Sequence, residues 1–228
     1  MTVRPVLVAL CRAADPPPAD DWLAPEESER LACFRFERRR AEWRLGRWTA
    51  KVALREAIVA AGGEPPSPSR IAVRTADDGA PEPFVGQRPF GWAISLSHRG
   101  GWALCAVAAP GTRIGCDLEL VEPRTEGFVG DYFTEAERMF VATAPDRDLA
   151  ANLVWSAKES ALKALRTGLR VDTRSVDVDV APDTGTVDWS PFEVRRSGPA
   201  LSGWWRRRGS LVLTVLCAPA APSPRLFD

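Results

Sequence analysis

The stretch WSAKESALKAL, residues 155–165, contains two of the three lysines in this chain, Lys158 and Lys163, although arginine supplies almost every other cation. Its first four residues nearly repeat WTAK at 48–51, which ends in the third lysine and lies 107 residues earlier. Both tetrapeptides fall in segments whose length and apolar spacing predict a long helix. The recurrence indicates that two parts of the chain share one structural plan.

A second pair of matching segments supports an internal repeat. LCAVAAP at 104–110 recurs as LCAPAAP at 216–222, an offset of 112 residues. Single matches arise by chance in an alanine-rich chain, but two matches in the same order with similar offsets favour two related halves. We therefore place a boundary near residues 110–113 and expect an N-terminal subdomain at 1–111 and a C-terminal subdomain at 112–228.

The same order of elements is predicted in each half, from apolar periodicity, turn residues and helix-start signals. The predicted helices span residues 25–34, 36–61, 134–142 and 148–165. The predicted strands span residues 6–10, 71–75, 92–98, 102–109, 113–121, 175–180, 192–196 and 210–218. Each half thus combines a helix pair with an antiparallel sheet, so we predict an α+β fold. A groove between two related halves is the expected place for a ligand.

Composition excludes several classes of protein. With 228 residues and 45% apolar content the chain can fill a hydrophobic core, and its formal net charge of zero argues against wholesale nucleic-acid binding. No apolar run is long enough for a membrane span, and the N-terminus does not resemble a signal peptide. The five cysteines are scattered, which fits reduced thiols and argues against a cysteine-type zinc site. We expect a cytoplasmic protein that binds neither nucleic acid nor membrane.

One local cluster of cations contrasts with this neutral charge. FRFERRRAEWRLGR, residues 34–47, contains six arginines. Such a run is usually the solvated face of a helix. The alternative is local recognition of an anion, since the chain as a whole has no net positive charge to provide it.

Two acidic residues alternate along a predicted strand in GCDLE, residues 115–119. Asp117 and Glu119 share one face of that strand, whereas Cys116 and Leu118 point into the core. An exposed face of an edge strand is one interpretation. The apolar flanks favour another, a half-buried carboxylate pair that requires a cation. Oxygen ligands of this kind suit Mg²⁺ or Mn²⁺.

Glu159 and Lys163 are four residues apart on the predicted long helix and therefore share a face. An ordinary surface ion pair, contributing about 0.2 to 0.5 kcal/mol, is one interpretation. The use of lysine in an arginine-rich chain favours another, because a compact ammonium suits a phosphate oxygen or a leaving group. In the first copy the equivalent positions are Val52 and Glu56, so only the second copy contains the pair.

His98 is the only histidine, and it stands between an apolar strand and the sequence Arg99-Gly100-Gly101. This context predicts a tight turn between two strands. A lone histidine is more often structural than functional. At a turn, with Ser97 before it, His98 could also contact a phosphate.

Taken in this order, these segments resemble the Sfp-type 4'-phosphopantetheinyl transferases. That family is marked by a serine-histidine strand end, matched by Ser97-His98, and by a G-[IV]-D-[IL]-E strand, matched by residues 115–119. Its third mark, W-[ST]-x-K-E-[SA]-x-x-K, is matched by residues 155–163. The resemblance covers roughly residues 25–180. It implies a pseudo-dimer of two similar α+β subdomains, each a long helix packed on a small antiparallel sheet, with the metal site in the C-terminal subdomain.

The resemblance also implies functional residues. Asp117, Glu119 and Glu159 would bind Mg²⁺, or Mn²⁺, together with the pyrophosphate of coenzyme A, and Asp117, Glu159 and Lys163 would be catalytic. The residues implied to contact coenzyme A are Arg47, Arg74, Ser97, His98, Lys158 and Lys163. For Lys158 two roles stay open, support of the helix or approach to the pyrophosphate.

The chain departs from the family pattern at two positions. Gly79-Ala80-Pro81 stands where the family often has GKP, which removes an adenine-side lysine and affects nucleotide affinity more than catalysis. Cys116 stands where a branched apolar residue is usual, and we expect this change to be silent because the side chain faces the core.

The implied reaction is attack by a carrier-protein serine on the β-phosphate of coenzyme A, with release of 3',5'-ADP. Lys163 would stabilise or protonate the leaving phosphate, and the general base is either Glu159 or a water on the metal. Because carrier domains are typically acidic, part of the arginine cluster would meet the carrier while Arg47 faces the nucleotide. We expect a monomer that serves an acyl or peptidyl carrier of fatty-acid, polyketide or nonribosomal-peptide synthesis.

Two other functions are compatible with the same residues. A metal-dependent phosphohydrolase or nuclease would use the three carboxylates without coenzyme A, and an inert module would bind coenzyme A or a carrier without reaction. The complete set of carboxylates argues against the inert module, and the neutral charge argues against a nuclease.

Overall fold

The computed structural model describes residues 5–167, 171–181, 188–196 and 198–227. By its internal contacts the chain divides into two compact units. Unit 1 comprises residues 1–112 together with 225–228, and unit 2 comprises residues 113–224. Within the described ranges, no helix combines the length and the apolar character needed to cross a bilayer.

Five α-helices and twelve strands are found in the described residues. The helices are α1, Pro25–Ala32; α2, Glu37–Ala60; α3, Glu126–Tyr132; α4, Glu135–Thr143; and α5, Arg147–Ala164. The strands are β1, Leu7–Arg12; β2, Ile71–Thr75; β3, Pro81–Val85; β4, Arg88–Pro89; β5, Ala93–Arg99; β6, Trp102–Ala108; β7, Arg113–Leu120; β8, Asp177–Val180; β9, Ser190–Arg195; β10, Leu201–Arg208; β11, Leu211–Ala218; and β12, Arg225–Phe227.

Unit 1 contains a four-stranded sheet in the order β12-β1-β6-β5 and a three-stranded sheet in the order β2-β3-β4. All pairs are antiparallel except β1 with β12. Helix α2 packs on β1 and β6 through a stripe of small buried residues that includes Ala50, Ala53 and Ala57. Because these side chains are short, the helix lies close to the sheet, and Leu54 fills the space beside them.

Unit 2 is built on one antiparallel sheet in the order β7-β11-β10-β9-β8. Helix α5 lies across β7 and β11, and its core-facing side is almost entirely buried. Large aromatic side chains complete this core, among them Phe133, Trp155, Phe192 and Trp205. Thr134 caps the N-terminus of helix α4, and its hydroxyl accepts a hydrogen bond from the backbone N–H of Glu137 in a capping box.

The two units repeat one order of elements. The series β1-α1-α2-β2-β3-β5-β6 in unit 1 corresponds to β7-α4-α5-β8-β9-β10-β11 in unit 2. In each unit the last strand of the series pairs with both the first strand and the strand before it, giving β1-β6-β5 and β7-β11-β10. The matches WTAK and WSAK lie at corresponding places in α2 and α5. The internal repeat read from the sequence is therefore present in the structure of each unit.

A buried lysine–glutamate pair is part of this repeated plan. In unit 1 the Lys51 ammonium is fully buried, 2.6 Å from Glu27 Oε2, and donates hydrogen bonds to the carbonyls of Pro68 and Ile71. The other carboxylate oxygen of Glu27 accepts a hydrogen bond from the backbone N–H of Val73. Burial lowers the pKa of Lys51, although the Glu27 carboxylate opposes this effect. The pair joins α1 and α2 to the start of β2.

Unit 2 contains the same buried lysine–glutamate pair at the corresponding residues. The Lys158 ammonium lies 2.8 Å from Glu137 Oε2 and donates to the carbonyls of Thr173 and Val176 at 3.0 and 2.7 Å. Glu137 Oε1 accepts a hydrogen bond from the backbone N–H of Val178. Burial lowers the pKa of Lys158, with Glu137 again opposing it. Compact ammonium groups therefore join two helices to a strand in both units.

The α+β class predicted from the sequence is confirmed, and the predicted helices and strands are present. The sequence interpretation missed α3 and the strands β3, β4, β10 and β12. Helix α3 contains two glycines in seven residues, which weakens its helical pattern. Strand β10 reads LSGWWRRR, where three consecutive arginines hide the alternation that predicts a strand.

Candidate functional site

Helix α5 lies directly on the backbone of strand β7. Gly115 makes this contact possible, because a Cβ at that position would lie 1.8 Å from the carbonyl oxygen of Ser160. Side chains alternate along a strand, so Asp117 and Glu119 share the face that α5 covers. They are 3% and 9% exposed. The interpretation of these residues as an exposed strand face is therefore wrong, and the carboxylates form a buried pair.

The ammonium of Lys163 is bound mainly by strand β7. Its Nζ donates to Asp117 Oδ1 at 2.7 Å and to the carbonyl of Cys116 at 3.1 Å. The ion pair with Glu159, expected from the helical spacing, is longer at 3.6 Å. Lys163 thus links α5 to β7. The interpretation of Glu159 and Lys163 as an ordinary surface ion pair is wrong.

Burial and neighbouring charges set the protonation of the two helix residues. Burial raises the pKa of Glu159, with Lys163 opposing the rise and Asp117 adding to it. Burial lowers the pKa of Lys163, but the carboxylates of Asp117 and Glu159 outweigh burial, so the pKa of Lys163 lies above its ordinary value. Lys163 therefore stays protonated at neutral pH. The raised pKa therefore indicates that Lys163 supplies a fixed positive charge rather than a proton.

Glu119 is held by residues that the sequence interpretation did not single out. Its Oε2 accepts a hydrogen bond from Arg124 Nη2 at 2.9 Å, and its Oε1 accepts one from Trp155 Nε1 at 3.1 Å. Arg124 Nε in turn donates to Asn152 Oδ1 at 2.8 Å. Helical spacing in the sequence could have identified two of these residues, because Asn152 and Trp155 fall on the same side of α5 as Glu159.

A buried network of hydroxyl groups fastens α5 to strand β11 beside Asp117. Thr214 lies opposite Asp117 in the strand register. Its hydroxyl is 2.8 Å from Ser156 Oγ and 2.6 Å from Ser160 Oγ. All three hydroxyl side chains are fully buried. Their mutual hydrogen bonds satisfy groups that would be costly to bury alone, and they fix the helix on the sheet.

Lys158 does not belong to this group of side chains. Its ammonium has three N–H groups, and Glu137, Thr173 and Val176 supply three acceptors. The side chain is fully buried. Of the two roles that the sequence left open for Lys158, this geometry favours support of the helix. We therefore do not include Lys158 among the proposed contacts with coenzyme A.

The candidate contacts in unit 1 include two arginines with different surroundings. Arg47 on α2 stacks over Trp43 and lies 3.7 Å from Glu27. Its Nε is buried, with no hydrogen-bond acceptor among the described residues. Arg74 on β2 donates to Glu26 Oε1 at 2.9 Å and lies over the ring of Phe84. Burial lowers the pKa of Arg47, so this guanidinium gains from an anionic partner.

Ser97 and His98 lie within strand β5, with His98 exposed near its end. The prediction that His98 occupies the turn is wrong by two residues, because the hairpin turn consists of Gly100 and Gly101. Both glycines have positive φ, 57° and 79°, as a two-residue turn between twisted strands requires. His98 is thus carried by a regular strand rather than by a loop.

The donor chemistry of unit 2 fits a hard divalent cation. Asp117, Glu119 and Glu159 provide carboxylate oxygens only, which Mg²⁺ and Mn²⁺ prefer. Lys163 and Arg124 already pair with the two strand carboxylates, so a metal ion would share these carboxylates with two cationic side chains. In the part of the chain that the structure describes, no group of three or more His, Cys, Asp and Glu side chains is arranged to hold a metal ion. The metal ligands stay a prediction.

Comparison with known proteins gives similarities to solved structures and a family match in one segment. The chain is similar to the holo-[acyl-carrier-protein] synthase of Thermotoga maritima, with 21% identity over 58% of this chain and 76% of that chain, and a TM-score of 0.39. It is also similar to a holo-(acyl-carrier-protein) synthase from Bacillus anthracis str. Ames, described in complex with CoA (3',5'-ADP). That match has 20% identity over 46% of this chain and 94% of that chain, and a TM-score of 0.38.

None of the curated proteins matches the chain. A family model does match, over residues 113–210, which run from β7 to the turn after β10 and include Asp117, Glu119, Glu159 and Lys163. In this segment of unit 2 the chain is similar to the 4'-phosphopantetheinyl transferase superfamily.

Proposed function

We propose that this protein transfers the 4'-phosphopantetheine group of coenzyme A to a serine of an acyl or peptidyl carrier protein. The observation that supports the proposal most is the contact of Lys163 with Asp117 and Glu159, formed by β7 and α5 inside the segment that matches the transferase superfamily. Glu119 lies on the same face of β7. Buried carboxylates together with a protonated lysine suit a reaction at a diphosphate, where the protein must hold charge in fixed positions.

The reaction exchanges one phosphorus–oxygen bond for another. The serine hydroxyl oxygen attacks the β-phosphorus of coenzyme A, the bond from that phosphorus to the bridging oxygen breaks, and 3',5'-ADP leaves. The serine proton must pass to a base. Glu159 is a candidate, because burial raises the pKa of its carboxylate towards the range of a useful proton acceptor.

Mg²⁺, when bound, would neutralise charge on the diphosphate oxygens, and Asp117, Glu119 and Glu159 are the residues that would hold it. Lys163 would place its ammonium by the leaving oxygen. Its raised pKa favours stabilisation of the developing negative charge over transfer of a proton. The reaction then depends on how firmly α5 is fixed on β7, since every one of these side chains is on one or the other element.

The residues of unit 1 would bind the nucleotide part of coenzyme A. Arg47 is the strongest candidate, because its buried guanidinium has an Nε without a hydrogen-bond acceptor among the described residues. Ser97, His98 and Arg74 complete the proposed contacts. Arg74 already engages Glu26, so it would have to share its guanidinium between this carboxylate and the nucleotide.

The carrier would meet part of the basic segment at the start of α2. Arg35, Arg38 and Arg39 are exposed there, and Phe36 is 74% exposed among them. Arg44, in contrast, pairs with Asp20 at 2.7 Å and belongs to the unit's own packing. Exposed arginines around an apolar ring suit an acidic carrier with an apolar contact residue.

The experiment that tests the proposal is an intact-mass measurement on apo carrier proteins after incubation with the protein, coenzyme A and Mg²⁺. Apo acyl, polyketide and peptidyl carriers are run in parallel, which also identifies the preferred carrier class. We expect a mass gain equal to phosphopantetheine and an equal amount of 3',5'-ADP. Hydrolysis of coenzyme A without a change in carrier mass would indicate a phosphohydrolase. Binding of coenzyme A without turnover on any carrier would indicate an inert module.

A further inference from the structure

A chain of hydrogen bonds leads from the backbone after β7 to the carboxylate of Glu119. Asn152 is fully buried, and its Nδ2 donates to the carbonyls of Glu122 and Asp148 at 2.7 and 2.8 Å. These two bonds fix the amide, so its Oδ1 presents an acceptor in one direction only. Arg124 Nε uses this acceptor at 2.8 Å. Asn152 therefore orients the Arg124 guanidinium without itself contacting Asp117 or Glu119 in the hydrogen bonds described above.

Further contacts restrict the same arginine. The guanidinium of Arg124 lies 4.8 Å from the centre of the Phe128 ring. The Arg124 carbonyl accepts a hydrogen bond from Arg147 Nη1 at 3.1 Å, which holds the backbone at this residue. Only 15% of the Arg124 side chain is exposed. A long side chain with so little freedom loses little further entropy in holding one geometry.

The restricted Arg124 side chain binds the carboxylate of Glu119. Arg124 Nη2 donates to its Oε2 at 2.9 Å, and Trp155 Nε1 donates to its Oε1 at 3.1 Å. Trp155 is itself fixed by ring contacts with Phe128 and Tyr132. These donors hold both oxygens of the Glu119 carboxylate and so fix its plane.

We propose that Arg124, held by Asn152, is a positioning residue that orients the Glu119 carboxylate for the metal ion of the transfer reaction. This inference rests on the proposed function. Partners that orient metal ligands commonly change metal affinity by about 10- to 100-fold when they are removed. A simple counter-ion would behave in the opposite way, because removal of a positive charge near a metal site strengthens metal binding.

Two substitutions that preserve the positive charge separate these roles. Asn152→Leu leaves Arg124 in place but removes its hydrogen-bond acceptor, and Arg124→Lys keeps the charge but loses the planar fork. Arg195→Met is the matched control, since it removes an exposed ion pair with Asp179 elsewhere in unit 2. Mn²⁺ binding is measured on the purified full-length proteins by electron paramagnetic resonance, without coenzyme A or carrier.

Orientation of Glu119 predicts that Asn152→Leu and Arg124→Lys each weaken Mn²⁺ binding by about tenfold, while the control does not. In the transfer assay the Mg²⁺ concentration for half-maximal rate should rise by a similar factor, and saturating Mg²⁺ should restore most of the rate. Circular dichroism confirms that each variant is folded, and Asn152→Ala is a second variant should Asn152→Leu fail to fold.

The inference fails if the folded variants bind Mn²⁺ as tightly as the wild type or more tightly. A lower unfolding temperature with unchanged Mn²⁺ binding would also refute it, because it would show a purely structural role. If the wild type binds no Mn²⁺, the metal site of the proposed function fails and the role of Arg124 fails with it.

Discussion

At the scale of single residues, the three lysines show why this arginine-rich chain retains lysine at a few positions. Lys51 and Lys158 are fully buried, and each ammonium faces one glutamate and several backbone carbonyls. A compact ammonium fits such a pocket, whereas the wider guanidinium does not. Lys163 differs, because it is partly exposed and faces Asp117 and Glu159.

Lys163→Ala should lower the rate of carrier modification by about a hundredfold or more, as loss of charge stabilisation in a transition state does. Lys163→Arg should recover only part of this rate, since the raised pKa of Lys163 makes charge important but the guanidinium is bulkier. Because Lys163→Ala removes an ammonium from a buried carboxylate, the free energy of unfolding should fall by about 1 to 3 kcal/mol. Initial rates and urea unfolding measure the two effects. A normal rate in Lys163→Ala would exclude Lys163 from the reaction.

Lys158→Met should lower the free energy of unfolding by about 3 to 5 kcal/mol, because it leaves the buried Glu137 carboxylate without its cation. Glu137→Gln in the same protein should recover part of the loss, and the double-mutant cycle should show a coupling energy above about 1 kcal/mol. Lys51→Met should behave alike in unit 1. Urea unfolding provides the values. A loss below about 0.5 kcal/mol, typical of a surface pair, would contradict the structural role of Lys158.

At the scale of elements, the contact between α5 and β7 determines the candidate site. Gly115 allows the close approach, and Ser156, Ser160 and Thr214 fix the helix through buried hydroxyl groups. The sequence predicted both elements and the residues on them. It did not predict that the acidic face of β7 would be the face covered by the helix, because alternation along a strand defines two faces without saying which one is covered.

Gly115→Ala should displace α5, because the added Cβ would lie 1.8 Å from the Ser160 carbonyl oxygen, a backbone atom. We expect a loss of about 3 kcal/mol or more in the free energy of unfolding and at least a tenfold loss in transfer rate. Gly46→Ala is the matched control, since Gly46 lies within α2 with nothing within 4 Å of the added Cβ. That change should be neutral or stabilise by up to about 1 kcal/mol. Equal effects of the two substitutions in urea unfolding would refute the close contact.

At the scale of the whole molecule, the internal repeat was the most informative signal in the sequence. Two short matches were enough to predict related halves, and corresponding residues do form the same buried pair in each unit. Strand β12 could not be predicted, because three residues at the end of the chain pair with β1 across more than two hundred positions. The role of Arg124 was likewise beyond the sequence. Its partners Glu119 and Asn152 come from different elements, and helical spacing identifies only one of them.

Thiol reactivity reports on burial in both units. Of the five cysteines, which form no disulfide, Cys33 is exposed and the other four are buried. Burial also raises the pKa of Cys217, which lowers its thiolate fraction at neutral pH. Titration of the native protein with Ellman's reagent at neutral pH should therefore show one fast thiol, and the denatured protein should show all five. Two or more fast thiols in the native protein would contradict the packing described for these residues.

We propose that side chains on β7 and α5 catalyse transfer of phosphopantetheine. The most direct test compares the wild type with Asp117→Asn, which keeps the shape of the side chain but removes its charge, in the intact-mass assay on an apo carrier with coenzyme A and excess Mg²⁺. We predict that the wild type converts the carrier to its phosphopantetheinylated form and that Asp117→Asn, although folded, is slower by about a hundredfold or more. A carrier whose mass does not change with the wild type, or changes equally fast with Asp117→Asn, would contradict the claim.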